Sequence, residues 1–186
     1  MCRFLTGKAR LQQTAKRRIW ELLDNEVFKA NNGRLYLAPR TMQTDNYTIP
    51  LWIAWLAGSP VDYDTRCSHI HDQCCYNREA LMILLNEDEL RERGFLRYSA
   101  HKGMWVCEDI PKEYLYKRKI GKVETNNLLY ECMKAADVPK ASRLIIRAGV
   151  AFNVGWYIDK WTHKTFDLDL NRIYDRTYWD EHVGAK

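Results

Sequence analysis

No stretch of this chain is apolar for long enough to cross a membrane: the most apolar short segment, residues 49–57, is roughly half the length a bilayer requires. Basic residues near the amino terminus are followed neither by an apolar core nor by a small-residue cleavage site. No secretory leader is therefore legible, and the sequence reads as that of a protein made and folded in a cytoplasm. A paired C-x-x-C knuckle is also missing, which excludes the zinc-ribbon kind of site. Internal repeats and low-complexity segments are missing too, which leaves one irregular globular unit spanning residues 1–186.

What the chain does have is enough apolar surface for a core. Its 186 residues are 46% hydrophobic, 28% charged and 12% aromatic, far from the composition of a disordered chain. The net charge of +5 is mild and does not by itself point to nucleic acid. Its distribution is uneven. Arg3, Lys8, Arg10, Lys16, Arg17 and Arg18 precede the first acid, Glu21, and a second basic run holds Lys117, Arg118, Lys119 and Lys122. Such runs are either solvated faces or contacts for phosphates or an acidic partner. Six cysteines stand at positions 2, 67, 74, 75, 107 and 132. With no secretory route they are read as reduced thiols, mostly buried.

The spacing of Leu11, Ala15, Ile19, Leu22 and Leu23 predicts a helix over residues 6–28, within a basic N-terminal segment 1–33. Asn31-Asn32-Gly33 turns the chain, and Leu35–Leu37 reads as a short strand. A second short strand and a loop follow to Tyr47, then a short helix over 50–57. The longest helix is expected over residues 66–85, with Leu81, Leu84 and Leu85 anchoring its far end, and charged residues 87–93 continuing as helix to Gly94. Residues 98–107 suggest a hairpin, and Pro111 opens a turn or short helix. Helices are expected over 122–136 and, capped by Asp137, from about 139 to 153. An aromatic C-terminal extension, 154–186, ends in a helix from Asn171. The fold class expected from these elements is mainly α with a minor β element, its helices packed around a central His-Asp helix.

That helix carries the densest chemistry, Cys67-Ser68-His69-Ile70-His71-Asp72-Gln73-Cys74-Cys75. Positions four apart share a helical face, so Cys67, His71 and Cys75 form one stripe, with Asp72 turned about 100° from His71. Three readings are open. A facing acid could orient His71 as a general base, with Asp72 holding a hard cation such as calcium or orienting a substrate. The same residues could be a buried polar network joining helices. Or His71 and a cysteine could contribute to a zinc site completed from elsewhere.

The segment Thr44-Asp45-Asn46-Tyr47-Thr48-Ile49-Pro50, followed by His71-Asp72-Gln73-Cys74-Cys75, resembles the signature of a small uncharacterised family of tailed-phage and prophage proteins, T-D-x-x-S-I-P and then H-D-x-x-Y. The likeness runs over residues 34–153. Thr48 stands where the family has Ser, Cys75 where it has Tyr, and Asn126 and Leu129 where a later D-x-x-F pattern has Asp and Phe. A fainter similarity links His71-Asp72-Gln73-Cys74 to the H-D-x-C helix of secretory phospholipases. It implies His71 as base, Asp72 as a calcium ligand and Asn126 as the orienting group; Asp45, as a residue of the phage-family signature before a helix, is a candidate to cap or hold His71. Asn126 can accept a hydrogen bond but brings no charge to stabilise an imidazolium. The expectation is therefore a phage-type accessory protein, made in the host cytoplasm and found there or in the virion. It would act through a protein–protein surface on a virion or host partner, with a degenerate hydrolase-like site at His71, Asp72, Asn126 and Asp45. Trp156, Tyr157, Trp161, Tyr174, Tyr178 and Trp179 supply the candidate contact aromatics. The alternatives are an ester hydrolase, phospholipase-like or dependent on calcium or zinc, and a nucleic-acid-binding protein using the basic N-terminus.

Overall fold

Residues 6–15 and 19–28 form no helix where one is expected over 6–28. Their apolar spacing fits strands equally well, and the β-branched and aromatic residues Ile19, Trp20, Val27 and Phe28 favour the extended chain once partners are present. The computed structural model describes residues 1–15, 19–44, 65–151 and 168–183. Over them the fold is mixed α/β, with ten strands in three sheets and five α-helices. This overturns the mainly helical fold with a minor β element.

The largest sheet has the order β1 (Arg3–Phe4), β4 (Glu26–Lys29), β5 (Leu35–Ala38), β7 (Glu79–Ile83), β10 (Leu115–Lys119). Every pairing in it is antiparallel. The β4–β5 hairpin turns where Asn31-Asn32-Gly33 predicts, with Gly33 at φ 81°, a conformation that costs glycine nothing. A second, antiparallel sheet joins β2 (Leu11–Gln13), β3 (Trp20–Leu22) and β6 (Gln43–Thr44). The third is the expected hairpin, β8 (Leu96–Ser99) with β9 (Met104–Cys107).

The motif helix, α1, covers Arg66–Asn77 and stops earlier than expected. Arg78 takes the left-handed conformation (φ 52°, ψ 27°), and the next residue starts β7. An apolar run such as Ala80–Leu85 fits a buried strand as well as a buried helix, and periodicity alone does not separate them. Leu81 and Leu85 are buried as expected, but Leu84 is exposed. Residues 87–92 form a separate short helix, α2 (Glu87–Glu92), opened by a capping box between Asn86 and Glu89.

Helix α1 lies against β4, β5 and β7 and against α3 (Lys122–Ala135), which in turn carries α4 (Lys140–Ala151). Ile70 and Cys74 of α1 and Leu128, Leu129 and Cys132 of α3 belong to one core with both middle strands. Asp137 closes α3 and does not open α4. It sits at φ 54° while Val138 N–H donates to Met133 O and Asp137 N–H to Lys134 O, the Schellman pattern. The C-terminal helix, α5, covers Arg176–Val183; residues 170–174 make turns where the helix was expected to begin. The expected helix over 50–57 lies outside the described residues. Among those residues no helix is long and apolar enough to cross a membrane.

Candidate functional site

Helix α1 points its polar side chains in three directions, and each finds a different partner. His69 and Gln73 face the sheets. The Nδ1 of His69 lies 2.8 Å from Glu26 Oε2 on β4, with both side chains fully buried, and the other oxygen of Glu26 accepts from Ala9 N–H at 2.9 Å. The amide of Gln73 bridges two backbone groups of β7: Leu81 N–H donates to its Oε1 and its Nε2 donates to Glu79 O, each at 3.0 Å.

Asp72 turns toward the second sheet. Thr44 at the end of β6 donates its hydroxyl to Asp72 Oδ2 at 2.5 Å, and Asp72 Oδ1 is 3.7 Å from His71 Nδ1. That last separation is a charge contact and too long for a hydrogen bond. His71 and Asp72 are 3% and 4% exposed.

The third direction is the stripe of His71 and Cys75. Cys75 Sγ is 3.6 Å from Nδ1 and 3.5 Å from Nε2 of His71. A sulfur almost equidistant from both ring nitrogens cannot lie in the ring plane without striking the carbon between them. It therefore packs over the face of the imidazole, off the axis of either nitrogen's lone pair. Burial by itself would pull the His71 pKa down. The Cys75 sulfur and the Asp72 carboxylate outweigh it and push the value up to about 10.

The other residues singled out in the sequence are distributed as follows. α1 and α3 pack together as the two apolar stripes predict, and Asn126 sits nearly buried on α3. The polar contacts of His71 nevertheless come from Cys75 and Asp72, none from Asn126. Asp45 lies outside the described residues, as does the rest of the first motif after Thr44. No group of three His, Cys, Asp or Glu side chains able to hold a metal gathers among the described residues, so His71 and Asp72 have no third ligand of these types there. None of the six cysteines is joined in a disulfide; five are buried and Cys75 is half-buried. Burial raises the Cys74, Cys107 and Cys132 thiols above their ordinary range, Cys107 to about 12, as befits inert packing.

Two sequence expectations about surfaces change. Tyr178 and Trp179 are not contact aromatics: Trp179 is 1% exposed, its indole N–H donates to Ile173 O, and the two rings pack edge to face. Tyr174 is spent internally as well, its hydroxyl accepting from Ile110 N–H. Trp156, Tyr157 and Trp161 lie outside the described residues. Among the described residues the exposed aromatic pair is instead Tyr98 (55%) and Trp105 (38%), cross-strand partners on the β8–β9 hairpin with ring centroids 6.0 Å apart and Arg91 stacked on Trp105. The hairpin was legible in the sequence, but neither the pairing of Tyr98 with Trp105 nor its outward face was.

Several basic residues are matched by acids of the same chain. Arg3 pairs with Glu87, Arg10 with Asp24, and Arg118 with Glu124. His69 was not singled out from the sequence, because its partner Glu26 is 43 residues away in a segment read as helix. Comparison with family models, with curated proteins and with solved structures finds no match.

Proposed function

We propose that this chain is an accessory protein of the phage or virion type that works by holding a protein partner, and that His71 and Asp72 serve its fold. The observation that carries the reading is the exposed Tyr98–Trp105 pair on the β8–β9 hairpin, since exposed aromatics beside arginine are what contact surfaces concentrate. The hydrolase alternative draws no matching support. Its candidate base is enclosed, carries a sulfur on its ring face and takes no hydrogen bond from Asn126. The nucleic-acid alternative is weakened by the internal ion pairs of Arg3 and Arg10.

The test has two arms. Partner capture from phage-infected host cells is expected to be lost in a Tyr98→Ser/Trp105→Ser double variant and kept in Asp72→Asn. Ester and phospholipid hydrolysis, with calcium, with zinc and with neither, is expected to stay at the blank rate. Turnover that disappears in Asp72→Asn while the protein remains folded would replace this reading with an enzyme.

A further inference from the structure

A second polar cluster lies where α5 meets the three-stranded sheet, at Gln43, the residue of β6 next to Thr44 and turned to the opposite face. Glu21 on β3 and Gln43 on β6 are cross-strand partners, so their side chains leave the same face of that sheet. α5 packs on β6 and brings two charged residues to them. Gln43 Nε2 donates to Asp180 Oδ1 at 2.6 Å, and Arg176 Nε lies 3.1 Å from Glu21 Oε2.

The pairing leaves oxygens over. Gln43 is fully buried, yet its Oε1 receives no hydrogen bond; Glu21 Oε2 is also buried and receives none, because the nearby Arg176 N–H is not aimed at it. A buried amide oxygen without a donor is costly, so a native protein retains one where something else meets it. Burial raises the Glu21 pKa; Arg176 opposes this and Asp180 adds to it, so the arginine does not fully compensate the carboxylate.

We propose that Glu21, Gln43 and Asp180 form a site for a hard divalent cation, calcium or magnesium. The donors are two carboxylates and an amide oxygen, with no sulfur or imidazole among them, which is the ligand chemistry of those ions and not of zinc. Glu21 and Gln43 form the floor of the site. Asp180 and Arg176 are exposed and form its mouth. Arg176 is the resident counter-charge, which an incoming cation displaces from Glu21.

Terbium, an oxygen-seeking stand-in for calcium, reads the site directly in the full chain. Trp20 and Trp179 adjoin Glu21 and Asp180 in sequence and sensitise its luminescence. Saturable emission is expected, displaced by calcium or by magnesium; whichever displaces it at lower concentration is the preferred ion. Asp180→Asn, a surface change that leaves the core intact, is expected to weaken binding at least about tenfold, the lower end of what losing even an outer-shell partner costs a metal site. Gln43→Met removes the amide oxygen and weakens binding in the same direction. Arg176→Gln is expected to tighten it, because the competing cation is gone. The proposal fails if emission does not saturate, if neither calcium nor magnesium displaces terbium, or if Asp180→Asn leaves the titration unchanged. It fails equally if Arg176→Gln weakens binding, since that would mark a general loosening of α5.

Discussion

Gln73 does for β7 what a neighbouring strand would do. β5 reaches β7 only at Met82 and Ile83, so among the described residues 79–81 have no strand on that side, and the Gln73 amide meets Leu81 N–H and Glu79 O there. Replacing Gln73 with Leu leaves both backbone groups buried without a partner. The expected loss is roughly 2–4 kcal/mol in urea unfolding, together with faster hydrogen exchange at Leu81. Glu87 supplies a pH dependence. Burial raises its pKa, but Arg3, Arg91 and Lys29 outweigh that and hold it at about 2, below the ordinary value of 4.5. A folded-state pKa below the unfolded one binds fewer protons when folded. The contribution is therefore present above 4.5 and lost as the pH falls from there toward 2. The stability gap between wild type and Glu87→Gln should close over that range in acid titrations; a gap constant with pH refutes the ion-pair reading. At this scale the sequence was partly legible. His71, Asp72 and the thiols announce a polar stripe in an apolar helix. What they touch does not follow from spacing, because Thr44 reaches Asp72 from another sheet and no local rule names it.

Elements were legible where punctuation was strong. The Asn-Asn-Gly turn, the hairpin around Lys102-Gly103, the strand at Leu35 and the two helices after Gly121 all form close to where the sequence predicts. The failures share one cause. Residues 6–28 and 79–83 have apolar spacing compatible with both periods, and their state is decided by strands that arrive from far along the chain. Gly7 shows how tight such a meeting is. A Cβ there would lie 2.4 Å from Met104 Sδ and 2.8 Å from Met104 Cβ, while Gly7 N–H donates to Trp105 O. Gly7→Ala should cost about 1–3 kcal/mol. Met104→Ala leaves the Cβ clash in place, so only Met104→Gly is expected to recover part of the loss in a double-mutant cycle. Full recovery with Met104→Ala would show that the strands had already moved apart.

For the molecule as a whole, the sheet order sets the behaviour. β1, β4, β5, β7 and β10 are neighbours in space but interrupted in sequence by β2, β3, β6, α1 and the β8–β9 hairpin, so most pairing waits on distant chain. The C-terminal segment closes the second sheet. Ile173 O accepts from both Thr41 Oγ1 and the Trp179 indole, and Trp179 is among the largest buried side chains. Trp179→Ala is expected to cost about 3–5 kcal/mol in thermal or urea unfolding. That places this tryptophan in the framework, and a change that left stability untouched would return it to the surface.

Only Arg78 separates α1 from β7, and it turns the chain in a conformation that side chains resist. A helix repeats every 3.6 residues and a strand every 2, and the two phases are locked together across this one residue. One added residue would either turn His69, His71 and Gln73 about 100° off their partners or invert the faces of the central strand. Length variants tolerated in surface loops should therefore be lethal here. The single exchange Arg78→Gly, which keeps the count, should instead be accepted and relieve about 1 kcal/mol of strain.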